Sequence, residues 1–223
     1  MNRIAENFFD LAVMAKYLPS IIDGVFVTIH LAVLIVLSGL ALGFVLAVVR
    51  AFQIRPVNWL IVLVVDVFRA LPPIVIMIVF YFALPFVGIS MSGFVVAWLS
   101  LTLVLASFAE EIFWTGILSV DRGQWEAARS TGLGFLQTLR DVVLPQAVRL
   151  TIPPLTNRTI VITKSTAIAS VVAVQEILTQ ASAAQAFSAN TTPLTMAAIA
   201  YLVIFFPLVV LSRWVESRFG WKR

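Results

Sequence analysis

The sequence predicts an all-α membrane protein with five transmembrane helices, and three observations predict it. Of 223 residues, 61% are hydrophobic and only 12% are charged, where a soluble globular domain carries about 45–50% apolar and about 25% charged residues. The mean hydropathy is +1.03. Long charge-free runs recur along the chain, separated by short basic, proline-marked or polar stretches. Such a chain cannot cover its surface with polar groups, so lipid is the solvent for much of it. At about 20 apolar residues per span, its length accommodates five or six spans with short loops. A single transmembrane domain, 1–223, is the expected organisation.

The spans are expected at about 20–49, 57–84, 93–120, 144–174 and 194–211. The first carries no charge between Asp23 and Arg50 and has Gly39, Gly43 and Ala47 at four-residue spacing. Small residues so spaced let a second helix approach closely, although Ala/Gly-rich spans also produce the pattern by chance. It is too long for a signal peptide and lacks a cleavage site, so it is expected to be retained. The second span follows the basic stretch Arg50 to Pro56, is broken at Pro72-Pro73 and closes at Pro85. A charge-free loop, 86–92, leads to the third span. The fourth opens at Leu144-Pro145 and is expected to be interrupted at Pro153-Pro154. A polar stretch, Gln175 to Thr192, precedes the charge-free fifth span.

Orientation follows from the basic residues. With five spans, Arg50, Arg55, Arg122, Arg129, Arg140, Arg149, Arg213, Arg218, Lys222 and Arg223 fall on one side, and only Arg3 and Lys16 on the other. The positive-inside rule places the first set in the cytoplasm, leaving the N-terminus outside and the C-terminus inside. Trp214 and Trp221 suit the cytoplasmic interface. The formal charge of +4 therefore reports topology rather than nucleic-acid binding. Cysteine is absent and His30 is the lone histidine, which excludes disulfides, thiolate metal sites and the constellations an intramembrane enzyme needs. His30 is expected to make a polar contact near the outer end of its helix, and Met77, Met91 and the phenylalanines to pack.

The longest polar stretch, 121–143, carries most information. Gln124 to Thr131 is expected to form a short amphipathic helix, started by Asp121 and ended by Gly132 in the left-handed conformation. A second helix from about Phe135 leads to Pro145, which suits a first helical turn. A short cytoplasmic helix between two spans is a docking element or a lid.

Here the chain resembles a known family. Glu126-Ala127-Ala128, then three residues, Gly132, nine residues, Val142, one residue and Leu144-Pro145 match the EAA loop of ABC importer permeases. Gly123-Gln124 before it, Phe68-Arg69 with Leu71-Pro72, and Pro153-Pro154-Leu155 with Asn157 and Lys164 resemble permeases for polar amino acids. Two places depart from the family pattern. Trp114-Thr115 stands where the family has Arg-Gly, with Glu110 as an added carboxylate, and Ser165-Thr166-Ala167 follows Lys164.

The resemblance implies the type I ABC importer fold in the bacterial inner membrane. It also implies a second permease subunit, identical or similar, and a periplasmic solute-binding protein. A pair of cytoplasmic ATPase subunits would bind ATP and Mg. The chain has no Gly-rich phosphate loop ending in Gly-Lys-Ser/Thr and is not expected to be an enzyme or to hold a cofactor of its own. The loop would couple it to the ATPase through Gln124, Glu126, Ala127, Ala128 and Gly132.

Charges inside spans cost several kcal/mol unless paired or wet. Asp66 and Arg69 share a helix face and can pair. Glu110 and Glu111 can be neutralised by Arg158 or Lys164 from another helix. The same charges equally suit a polar cavity, where a solute carboxylate meets Arg69, Arg158 or Lys164 and an ammonium meets Glu110 or Glu111, with Asn157 alongside. The solute is expected to be an amino acid, with an opine or compatible solute as the alternative. The charges alone also fit an ion-coupled carrier; the docking loop argues against it.

Overall fold

In a computed structural model the structure of residues 6–219 is described; Arg3, Trp221, Lys222 and Arg223 lie outside them. Among the described residues every regular element is helical. Helix α1 spans Leu11–Ala51 and α2 Arg55–Ala70. Helix α3, Pro73–Ile78, runs on through a π-helical turn, Val79–Ala83, and a 3-10 turn, Leu84–Val87. Helix α4 spans Gly93–Leu118, α5 Arg122–Ser130 and α6 Phe135–Gln137. A π-helical turn, Thr138–Val143, joins α6 to α7, Leu144–Lys164, and a 3-10 stretch, Ser165–Val172, follows. Helices α8, Ile177–Ser188, and α9, Thr192–Phe219, are the last of the described elements.

Among the described residues three helical stretches are by themselves long and apolar enough to cross a membrane: Glu6–Ala51, Gly93–Leu118 and Thr192–Arg218. Two bent pairs qualify when each is counted as one span, Arg55–Ala70 with Pro73–Val87 and Phe135–Val172 with Ile177–Ser188, bringing the count to five.

The break expected at Pro72-Pro73 is present. Leu71 is extended, as a residue before proline prefers, and ends α2; Pro72 is extended too and starts α3. The interruption expected at Pro153-Pro154 is not. Helix α7 runs through both prolines, because proline's fixed φ is itself helical and each ring removes only one ladder donor. The break comes at 173–176 instead. Ala173 adopts φ +57°, Glu176 starts α8, and the axis bends by 46°. The polar stretch expected at 175–192 is largely that helix, in keeping with its alanines.

The chain divides into two compact units. One comprises Met1–Val36, Pro72–Thr102 and Ile160–Val210. Its core includes Ile21, Ile177, Ala181, Met196 and Ala197. In it Met77 is fully buried, and His30 lies against the Phe94 ring with centroids 5.5 Å apart, an aromatic contact where a polar one was expected.

The other comprises Leu37–Leu71, Leu103–Thr159 and Leu211–Arg223. Its core gathers Ala47, Ala51, Ala109, Phe113, Ile117, Leu139, Val143 and Ala147. Here the small-residue spacing of α1 has a purpose. A Cβ on Gly39 would stand 2.9 Å from the Leu105 side chain, and one on Gly43 would stand 2.6 Å from the Ala109 Cβ and 2.7 Å from the Ala106 carbonyl oxygen. Without those side chains α1 and α4 approach to backbone contact, the packing that stabilises helix pairs in lipid.

Candidate functional site

Two features of the second unit carry chemistry: the short helix α5 with its turn, and a cluster of charges around α4.

Helix α5 is fixed at both ends by local sequence. Asp121 Oδ1 accepts the Gly123 N–H at 2.6 Å. At the other end the Leu133 N–H reaches the Ala128 carbonyl at 3.3 Å and the Gly132 N–H reaches the Arg129 carbonyl at 3.1 Å. Gly132 has φ +90°. This is the Schellman closure, which requires a left-handed residue at that position. The helix begins at Arg122 and ends at Ser130, close to the expected Gln124 to Thr131.

Its two faces differ. Trp125 stacks on Phe135 with centroids 5.8 Å apart, and Phe135 in turn meets Phe52. Ala128 lies on this inner face and is buried against its own chain. Gln124, Glu126, Ala127 and the turn residue Gly132 are exposed, with Gln124 Oε1 held by Gln146 Nε2 at 3.3 Å. The five residues expected to act together thus divide: four face outward, and Ala128 packs inward.

In the charge cluster, Arg50 at the end of α1 donates from Nη1 to both oxygens of the fully buried Glu110, at 3.0 and 3.2 Å. The same group lies 3.5 Å from Glu111 Oε2. From α2, Arg69 lies 3.4 Å from Glu111 and 3.7 Å from Asp66, the pairing expected within that helix. Arg50 also rests over the Trp114 ring at 4.8 Å. Trp114, one turn beyond Glu110, forms the apolar wall of the Arg50 site. The Phe108 ring receives the guanidinium groups of Arg158 at 3.7 Å and Arg69 at 5.5 Å.

The structure therefore brings Arg69, Glu110, Glu111 and Arg158 together. It pairs the acids with Arg50 and Arg69; of the two alternatives for Arg158 and Lys164, neutralising these acids or facing a solute, the first is not realised among the described residues. Arg158 makes no ion pair among the described residues. Asn157 is exposed on α7, and Lys164 is exposed in the other unit. The sequence points to Arg50 only as a topological charge. The signal pointing further was its place, closing a charge-free run at helical distance from the membrane interior. Among the described residues no cluster of His, Asp and Glu is suited to a metal ion.

Comparison with known proteins bears on the same elements. The chain is 34% identical over 197 residues to the probable glutamine ABC transporter permease protein GlnM of Bacillus subtilis (strain 168), covering 88% of this chain and 91% of that one. It is 31% identical over 211 residues to that organism's arginine transport system permease protein ArtQ, covering 94% and 96%. Among solved structures, a crystal structure of an amino acid ABC transporter with histidines superposes with TM-score 0.84 at 30% identity, over 94% of this chain and 98% of that one. An inward-facing MetNI methionine ABC transporter, at 20% identity and TM-score 0.68 over 88% and 95%, shares the fold. A family model, binding-protein-dependent transport system inner membrane component, matches residues 39–221, a stretch that includes α5 and the whole charge cluster. The chain belongs to the family of inner-membrane components of binding-protein-dependent transport systems.

Proposed function

We propose that the chain is the membrane-spanning subunit of an ATP-driven importer for amino acids or related small polar solutes. The observation that carries this reading is helix α5: a rigid, capped element with Gln124, Glu126 and Ala127 on its outer face. The relatives support it, being named as permeases for glutamine and arginine.

In this reading the chain pairs with a second permease copy and receives solute from a periplasmic binding protein. Two cytoplasmic ATPase subunits bind ATP and Mg and seat α5 in a cleft. The stacked Trp125 and Phe135 pack against the core beneath α5, so a push on the outer face is transmitted rather than absorbed. In this reading α5 and the C-terminus lie in the cytoplasm and the N-terminus outside, which the division of the basic residues supports. Asp66, Arg69, Glu111 and Arg158 belong to a face that meets water or protein rather than lipid, since charges facing hydrocarbon are costly. That face lines the path of a zwitterionic solute.

The test measures uptake and ATP hydrolysis on one preparation of permease, ATPase and binding protein in vesicles. Coupled activities that both fail when α5 is altered on its outer face support the reading. ATP-independent uptake by the chain alone overturns it.

A further inference from the structure

The break between Val172 and Ile177 holds a buried acid outside the charge cluster. Glu176 is fully buried, and among the described residues it has no ion-pair partner. Its carboxylate accepts four hydrogen bonds instead: from the Leu178 N–H at 2.9 Å, the Thr179 N–H at 2.7 Å, the Thr179 hydroxyl at 2.9 Å and the Tyr201 hydroxyl of α9 at 2.5 Å.

Helix α1 reaches the same point. The Ile177 N–H donates to Thr28 Oγ1 at 3.3 Å, and the Thr28 hydroxyl donates to the Gly24 carbonyl at 2.8 Å. A Cβ on Gly24 would stand 2.9 Å from the Ile177 Cα and 3.1 Å from the Glu176 carbonyl carbon, so α1 touches backbone here.

These contacts satisfy the whole N-terminus of α8. The first N–H goes to Thr28, the next two go to Glu176, and the Gln180 N–H returns to the Glu176 carbonyl at 3.0 Å. Helix starts leave such donors without intrahelical partners, and at a site buried within the protein, as Thr28, Glu176 and Ile177 are, a lost acceptor leaves a donor unsatisfied. Helix α8 cannot leave α1 without orphaning the Ile177 N–H. It cannot leave α9 without stripping the Tyr201 hydroxyl from a buried carboxylate.

We infer that Glu176 is a positioning residue for transport, locking the break at 173–176 to α1 and α9 so that these elements move as one body. The inference concerns motion within this unit, and it rests on the reading of the chain as an ATP-driven transporter.

The test uses the complex with its ATPase in vesicles. The natural chain has no cysteine, so Thr28→Cys with Ile177→Cys can be oxidised without background. The disulfide should form equally fast without nucleotide and with ATP plus vanadate. Oxidised and reduced forms should take up a mixture of radiolabelled amino acids at equal rates. In a cysteine-free background, Glu176→Gln should lower maximal velocity about tenfold at unchanged KM, because an amide cannot accept all four bonds. Tyr201→Phe should lie between Glu176→Gln and wild type.

A disulfide that forms in one nucleotide state only, or blocks uptake until reduced, overturns the inference. So do free thiols that resist oxidation in both states. The crosslinking comparison holds even if Glu176→Gln fails to fold. A wild-type complex that neither hydrolyses ATP nor takes up solute counts against the transport reading, whereas an active wild-type complex with an inhibitory disulfide counts against the shared motion alone.

Discussion

Half-buried Arg50 and fully buried Glu110 form an ion pair in which one guanidinium nitrogen serves both carboxylate oxygens, at 3.0 and 3.2 Å. It joins the end of α1 to the last third of α4, just beyond the close approach at Gly39 and Gly43. Arg50→Ala leaves a buried carboxylate without its cation and should destabilise the unit by about 3–5 kcal/mol. Arg50→Met with Glu110→Leu removes both charges and should recover most of the loss. Thermal unfolding of the purified permease in detergent reads this difference. An Arg50→Ala protein that melts like wild type would show that the pair contributes no stability.

The two alanines of the α5 motif should behave in opposite ways. Ala128 is buried against its own chain, so Ala128→Trp should cost about 1–3 kcal/mol by overpacking, even in the permease without partners. Ala127 is exposed, so Ala127→Trp should leave the isolated permease as stable as wild type and reduce ATPase binding in the complex. Measuring melting and ATPase pull-down on both variants separates the faces; equal effects on melting would refute this division.

Gly132 closes α5 at φ +90° with nothing within 4 Å of its would-be Cβ. The penalty for a side chain is therefore conformational rather than steric. Gly132→Ala should cost about 1–2 kcal/mol in the left-handed region. Gly132→Asn should cost less, since asparagine tolerates that conformation, and Gly132→Val more. The measured order of unfolding temperatures checks this, and a Val variant as stable as Ala would contradict it.

These contrasts show what the sequence could and could not convey. Helix α5 was legible because its determinants are local: Asp121 caps within two residues, and Gly132 closes the turn one residue past the Thr131 C-cap. The small-residue stripe of α1 was visible too, although its partner was not, because Leu105 and Ala109 lie far away in sequence. The charges were legible as charges and their pairing was not. Which cation meets Glu110 depends on how helices cross, and Arg50 reaches it from 60 residues away. Pro153-Pro154 misled because proline's effect on a helix depends on whether neighbours absorb a missing donor. The break at Ala173 has neither glycine nor proline to announce it.

Topology can be tested directly. A cytoplasm-active reporter fused after Arg223 should be functional, and one inserted within 185–192 should work only if it is a periplasm-active type, because the basic residues divide that way. A C-terminal reporter active only in the periplasm would reverse the orientation and remove α5 from reach of a cytoplasmic ATPase.

Asp66 and Arg158 contrast a structural charge with a charge available to a solute. Asp66 is exposed beside Arg69, at 3.7 Å, and exposed pairs contribute only about 0–1 kcal/mol. Asp66→Asn should therefore leave both stability and uptake near wild type. Arg158 differs: it rests on the Phe108 ring, and each neighbouring acid of the cluster already has an arginine. Among the described residues Arg158 rests on that ring without an ion pair, which leaves it poised for an incoming carboxylate. Arg158→Gln should leave melting nearly unchanged and lower uptake at least about tenfold, the loss expected when a charged ligand group loses its hydrogen-bonding partner. Arg158→Lys should restore part of it, since an ammonium keeps the charge and loses the planar fork. Uptake and thermal unfolding measured together on all three variants decide the matter. If Arg158→Gln transports normally, the solute does not use this cation and the polar face serves packing alone.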